Sequence, residues 1–281
     1  MPTLGVSHVG TSLGDADLQR IVRLVRERSG ITLHPGKREL VAARLHQRLR
    51  ATGHTTYSDY LRFAESDTSG QELRALLDAS ATNHTNFFRE NEHFAYLVDT
   101  VLPPLLTRGR PITLWSAACS TGEEPTTLAV TVLDALPAGG AIPLRILASD
   151  ISTKALQAAA AGVYPMHRVG AIPRPLLSRY FERGLGAQEG LARVGPAVRR
   201  VIDYRRINLL EVDLLGDSFD AIFCRNVLIY FDLEVQQRVV AMLERHLAPG
   251  AFLFVAHSET LNNLRHGLRW VAPAVYQRTL S

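Results

Sequence analysis

The sequence predicts an all-helical domain over residues 1–80, a connecting segment over 81–111 and an α/β domain over 112–281. Three observations carry that prediction. The chain has 281 residues, 46% of them hydrophobic, ample for a packed core. Up to residue 80 the apolar residues recur at helical spacing. Beyond Pro103-Pro104, short continuous apolar runs alternate with helical patterns, as expected of parallel strands buried on both faces beneath covering helices.

In the first domain, Leu18, Ile21, Val22, Leu24 and Val25 share a helical face, and Val41, Leu45 and Leu49 repeat every four residues. Ser29-Gly30, His34-Pro35-Gly36 and Thr52-Gly53 break the helices. In the second domain the strand-like runs are 112–118, 146–149, 219–224 and 252–256. One segment interrupts them. Over 180–204 the glycines Gly184, Gly186, Gly190 and Gly195 punctuate short pieces, read as an inserted antiparallel β subdomain, with a long loop as the other reading.

Composition narrows the function classes. Cys119 and Cys224 lie inside apolar runs, which suits free thiols in a reducing compartment, so a cytoplasmic location is expected. No apolar run approaches the roughly 18 residues of a membrane span, and the first ten residues lack the basic start and apolar core of an export signal. The net charge of +4 is almost wholly arginine, Lys37 and Lys154 being the only lysines. It concentrates locally: Lys37, Arg38, Arg44, Arg48 and Arg50 face Glu39 alone.

Ligands of open α/β sheets bind beyond the carboxyl ends of the strands. Four strand ends here carry suitable side chains. The first run leads into Ser120-Thr121-Gly122-Glu123-Glu124, where Gly122 permits close backbone approach, although one glycine is short of a dinucleotide fingerprint. The second ends at Asp150, which can accept the hydroxyls of a ribose or cap the next helix. Asn208, beside Leu209, follows a strand ending near Tyr204 and can read an adenine edge. The fourth ends in Cys224-Arg225-Asn226 and continues to Tyr230.

Thr82-Asn83-His84-Thr85-Asn86-Phe87-Phe88-Arg89-Glu90, Trp115-Ser116-Ala117-Ala118-Cys119-Ser120-Thr121-Gly122-Glu123-Glu124-Pro125 and Phe219-Asp220-Ala221-Ile222-Phe223-Cys224-Arg225-Asn226 together resemble the CheR family of chemotaxis-receptor glutamate O-methyltransferases. The resemblance also includes Ala148 to Ile151, the Gly184 to Val194 stretch and His257-Ser258-Glu259, nearly the whole chain. It implies a class I, Rossmann-like methyltransferase domain with an N-terminal helical domain, a lid within 81–111 and the small β subdomain. It further implies S-adenosylmethionine as cofactor, S-adenosylhomocysteine as product, and binding by Asn83, Thr85, Arg89, Glu124, Asp150, Asn208, Leu209, Arg225 and Asn226. Tyr230 is then expected near the transferred methyl, with Arg89 contributing to catalysis as well as binding. One departure stands out: Thr126 occupies a position where the family usually has Tyr.

A glutamate carboxylate is ionised at neutral pH, so its methylation needs alignment and water exclusion rather than a base. This agrees with the lack of a histidine or paired carboxylate over 226–230. Expected partners are methyl-accepting chemotaxis receptors, through their glutamate-rich helical methylation region and the C-terminal tail peptide that some family members grip with the β subdomain. Lys37, Arg38, Arg44 and Arg48 form the expected docking stripe on one helix, a solvated face being the other reading. A nucleic-acid methyltransferase and a non-catalytic sensor or scaffold are the alternatives, the first weakened because 226–230 lacks the paired prolines of amino-methylating sites. His84, His93 and His257 show no metal-ligand spacing, so no metal is expected, nor nucleic acid; the chain is expected to be a monomer.

Overall fold

The computed structural model describes residues 12–33, 36, 38–80, 83–137, 143–212 and 218–280. The chain divides into two compact units, Met1–Thr82 and Asn83–Ser281.

Among its described residues the first unit has four α-helices: α1 (Asp15–Ser29), α2 (Arg38–Thr52), α3 (Tyr57–Ser66) and α4 (Gln71–Ser80). The faces read from the sequence are the ones buried, with Leu18, Ile21, Leu24 and Val25 from α1 and Val41, Leu45 and Leu49 from α2. Gly30 ends α1 in the left-handed region (φ 75°), its N–H bonded to the Arg26 carbonyl. Thr56 caps α3, its hydroxyl accepting the Asp59 N–H at 3.1 Å.

In the second unit, α5 (Glu92–Tyr96) runs through a π turn (Leu97–Val101) into α6 (Leu102–Leu106). Pro103 and Pro104 lie in the first turn of α6, where their missing N–H groups are tolerated, and the register widens just before them. Phe87, Phe94, Leu97, Val101, Leu102 and Leu105 are buried in the main core. Residues 83–111, read from the sequence as a linker and lid, are therefore structural members of the α/β unit.

There follow β1 (Ile112–Ala117), α7 (Glu123–Ala135), β2 (Leu144–Asp150), α8 (Thr153–Ala161), β3 (Val163–Pro165), α9 (Arg174–Tyr180), β4 (Phe181–Arg183), β5 (Leu191–Val194), α10 (Pro196–Arg199), β6 (Ile202–Arg206), β7 (Phe219–Cys224), α11 (Leu233–His246), β8 (Leu247–Phe254), β9 (Leu268–Ala272) and β10 (Val275–Arg278). The main sheet has the order β6-β2-β1-β7-β8-β10-β9. Its first five strands pair in parallel, and β10 and β9 are added antiparallel. All six residues of β7 are buried, the reason its sequence is an unbroken apolar run around Asp220. That carboxylate is not orphaned: Arg110 reaches it at 2.5 Å and the Thr113 N–H at 2.9 Å.

β3, β5 and β4 form the separate antiparallel sheet. Its extent differs from the 180–204 reading: it recruits β3 from before α9, and β6 belongs to the main sheet. A three-residue strand is too short to show a period of two, and a helix separates it from its partners. Among the described residues, no helix is long and apolar enough to cross a membrane.

Candidate functional site

The strand order reverses at β1, which lies between β2 and β7. Such a switch point opens a crevice at the carboxyl ends of the strands. Between β1 and α7 three residues take positive φ, Ala118 (66°), Ser120 (51°) and Gly122 (94°). Only glycine does this freely, so the other two must be held. Asp150 Oδ2 accepts the Ser120 N–H at 2.8 Å, and the Cys119 N–H bonds to the Ser149 carbonyl at 2.8 Å. The Tyr164 hydroxyl donates to the Thr121 carbonyl at 2.7 Å from beneath. A Cβ on Gly122 would lie 2.7 Å from Ala159 Cβ and 2.9 Å from the Tyr164 hydroxyl, so the turn admits no larger residue.

Asp150, 7% exposed, ends β2 and braces this turn. Its Oδ1 accepts the Ser152 N–H at 2.8 Å, while the cap of α8 is Ser152, whose Oγ accepts the Ala155 N–H at 3.1 Å. The capping role considered for Asp150 thus falls to its neighbour. Asn208 and Leu209 are buried beyond β6, tied to β2 by the Ile207 N–H on the Asp150 carbonyl at 3.1 Å. Asn83 joins the same turn through its carbonyl, which accepts from Ser120 Oγ at 3.1 Å.

Arg225, after β7, organises the other side. Its guanidinium lies 3.0 Å from Glu124 Oε2 and 3.0 Å from Glu90 Oε2, and donates to the Arg89 carbonyl at 2.5 Å. Glu124 also accepts from Ser116 Oγ at 2.7 Å. Burial pushes the Glu124 carboxyl above its ordinary value, against the pull of Arg225. Burial pushes Glu90 the same way, but there Arg225, with help from the His257 N–H, outweighs it and the net shift is downward. Arg89 is half-buried and donates to the His84 carbonyl at 3.2 Å, while Glu90 is paired with Arg225. Thr85 is held through its carbonyl by Arg168 at 3.0 Å, and Arg168 also pairs with the fully buried Glu123.

Asn226 follows with φ 58°, then a single 3-10 turn, Leu228–Tyr230, that leaves Tyr230 half-buried. Glu259 accepts the backbone N–H groups of Asn226 at 3.0 Å and Ile229 at 3.3 Å. Glu90, Glu123, Arg168 and Glu259 received no role from the sequence, because their partners lie far away along the chain.

The fold also gathers Glu90, His93 and His257, whose ligand-capable atoms all lie within 4.8 Å of one another. Glu90 and His93 are three apart, but His257 is remote, so spacing alone does not reveal the group. The cation in contact with Glu90 is Arg225. His93 is 1% exposed, and burial, then the Arg225 charge, push it down to about 4. Thr126 is 1% exposed. The Tyr164 and Tyr204 hydroxyls near it are held well above their ordinary value by burial.

In the helical unit the expected docking cations are engaged internally. Arg48 makes a two-pronged pair with Glu72 at 3.0 and 2.7 Å, and Tyr60 donates to the same carboxylate at 2.8 Å. Arg44 donates to the Ser80 carbonyl at 3.2 Å, and Arg38 to the Leu13 carbonyl at 2.8 Å and to Asp15. Lys37 lies outside the described residues.

Comparison with known proteins is consistent along the chain. Residues 83–275 match the family model described as "CheR methyltransferase, SAM binding domain", and residues 16–79 match "CheR methyltransferase, all-alpha domain". Chemotaxis protein methyltransferase 2 of Pseudomonas aeruginosa is 40% identical over 261 residues, covering 92% of each chain. The chemotaxis protein methyltransferase of Salmonella typhimurium is 40% identical over 256 residues, 90% of this chain and 86% of that one. The one of Escherichia coli is 39% identical over 268 residues, 94% and 91% respectively.

Proposed function

The chain belongs to the CheR methyltransferase family and is an S-adenosylmethionine-dependent methyltransferase of chemotaxis; from that premise we propose that it esterifies specific glutamate side chains of chemoreceptors. What supports the cofactor half of this reading is where the polar residues stand: Asp150 ends β2, Glu124 lies in the first turn of α7 after β1, and Asn208 follows β6.

These residues fit the cofactor chemically. Asp150 braces the turn through the Ser120 and Ser152 N–H groups, and an acidic side chain at a strand end is a suitable acceptor for ribose hydroxyls. Glu124, Asn208 and the backbone of the 118–122 turn add acceptors and donors for adenine, ammonium and carboxylate groups. Asn83, Thr85 and Arg89 close the set from one segment, Leu209 offers an apolar wall, and Arg225 with Asn226 the far edge. S-adenosylmethionine supplies a methyl group already activated by a positive sulfur.

The protein's own task is then alignment. A glutamate substrate arrives ionised, so no side chain has to remove a proton. Arg225 holds Glu90 and Glu124 so that two half-buried carboxylates do not repel one another or the substrate's. Tyr230 stands at the acceptor side of the 226–230 loop and orients the attacking carboxylate, and Arg89 supplies positive charge beside it. The 226–230 loop carries no histidine or paired carboxylate that could act as a base, which favours an already ionised carboxylate as acceptor over a hydroxyl.

Recruitment falls to surfaces away from this crevice. In the β3-β5-β4 sheet, β3 and β4 are edges with unpaired backbone groups, to which an extended receptor tail can add as a strand. Leu185, in the β4–β5 connection, is exposed beside them. The helical unit retains Lys37, Arg38, Arg44 and Arg48 as the candidate docking face, with Arg48 and Arg44 also serving its internal packing. Transfer of tritiated methyl groups to receptor cytoplasmic fragments, compared with DNA and RNA, tests the function: label on the receptor alone supports it, and label on nucleic acid contradicts it.

A further inference from the structure

Behind the loop that carries Asn226 and Tyr230 lies a carboxylate with no part in the chemistry described so far. Glu259 is 8% exposed, and no ion pair to it occurs among the described residues. Its charge is met by backbone instead. Oε2 accepts the N–H groups of Ala256 at 2.8 Å and Asn226 at 3.0 Å, and Oε1 accepts that of Ile229 at 3.3 Å. Burial nevertheless pushes its carboxyl above the ordinary value.

The origin of those donors is informative. A carboxylate that merely closed its own turn would bond within residues 256–259, and only the Ala256 contact does that. The other two donors come from the end of β7, 33 and 30 residues away in sequence. One is the N–H of Asn226, whose φ of 58° lies in the left-handed region, which asparagine tolerates better than other non-glycine residues. The other is the N–H of Ile229, in the middle of the turn Leu228–Tyr230. The contacts therefore fix the conformation and the seat of the loop that presents Asn226 and Tyr230.

We propose that Glu259 is a positioning residue for methyl transfer: it holds the 226–230 loop from behind through backbone hydrogen bonds, so that Asn226 and Tyr230 keep the placement the reaction needs. This rests on the reading that those two residues serve cofactor and acceptor. Glu259 itself touches neither.

The test separates placement from folding. Glu259→Gln keeps the shape but sets an amide NH2 against backbone donors; kcat per folded molecule should fall about tenfold or more, as loss of alignment requires, counting folded molecules by thermal melting. Wild-type kcat in this variant overturns the inference, whatever happens to its Tm. If Glu259→Gln does not fold, a pair of substitutions decides, one at the exposed Ile229 and one at Glu259. Ile229→Gly keeps the N–H but removes the side chain, whereas Glu259→Asp keeps the charge and shortens its reach to Asn226 and Ile229. A lower kcat per folded molecule in Glu259→Asp than in Ile229→Gly supports the inference, and equal values overturn it. Should the wild type leave receptor fragments unmethylated, the substrate reading alone fails. Glu259 is then judged by S-adenosylhomocysteine affinity, expected to drop about tenfold in Glu259→Gln through Asn226 and unchanged if the inference is wrong.

Discussion

Arg225 and Glu124 face one another at 3.0 Å across the point where the sheet order reverses, their side chains 2% and 13% exposed. A buried pair of this kind contributes little by itself, but removing one member leaves the other charge buried and unmatched. Arg225→Ala strands both Glu124 and Glu90, and is expected to cost about 3–5 kcal/mol of folding stability. Arg225→Lys should recover only part of it, because an ammonium cannot reach Glu124, Glu90 and the Arg89 carbonyl in one plane. Denaturant melts of the two variants check this, and full recovery by lysine would refute the planar-fork account.

Asp150 serves two ends. Its side chain braces the 118–122 turn and, on the proposed reading, accepts hydroxyls of the cofactor. Asp150→Ala should weaken S-adenosylhomocysteine binding by about 1–3 kcal/mol, measured by calorimetry. Unchanged affinity would remove Asp150 from the binding set.

The strand ends were legible because their signals are local: an unbroken apolar run such as β7, then a polar residue where the run stops. Asp150, Asn208, Arg225 and Asn226 stand out in that way, and each lies at or just after the end of a strand of the main sheet. What holds them does not. Arg168 reaches Thr85 across 83 residues, and Arg225 reaches Glu90 across 135, distances over which no periodicity speaks. The helices within 92–106 are short and carry Pro103-Pro104 in a first turn, so residues 81–111 give no long periodic signal and read as a connection. The basic stripe of α2 shows the limit of charge counting, since Arg48 is committed to Glu72 inside its own domain.

His93 predicts an acid limit to stability. Its folded value is depressed from 6.5 to about 4, so between those values the unfolded chain takes up a proton that the folded chain does not. Stability is therefore whole above about pH 6.5 and falls as the pH drops toward 4, by on the order of 3 kcal/mol. His93→Phe keeps the ring contact with Phe254 and should flatten this part of the profile. Parallel wild-type and variant curves of Tm against pH would show that other groups carry the acid loss.

Tyr230 divides binding from rate. If Tyr230 serves the acceptor as proposed, Tyr230→Phe removes its hydroxyl and kcat should fall roughly three- to tenfold, the worth of one hydrogen bond, while cofactor affinity stays at the wild-type value. Calorimetry alongside steady-state methylation makes the comparison; a loss confined to cofactor binding would move Tyr230 to the cofactor side.

The central claim is that the acceptor is a receptor glutamate. Its most direct measurement is mass-spectrometric mapping of a receptor cytoplasmic fragment after reaction with the wild-type protein and S-adenosylmethionine, before and after mild alkali. The account predicts methyl groups on discrete glutamates that alkali removes as methanol, and none when those glutamates are replaced by alanine. Alkali-stable methylation, or methyl groups on lysine, arginine or nucleic acid instead, would contradict it.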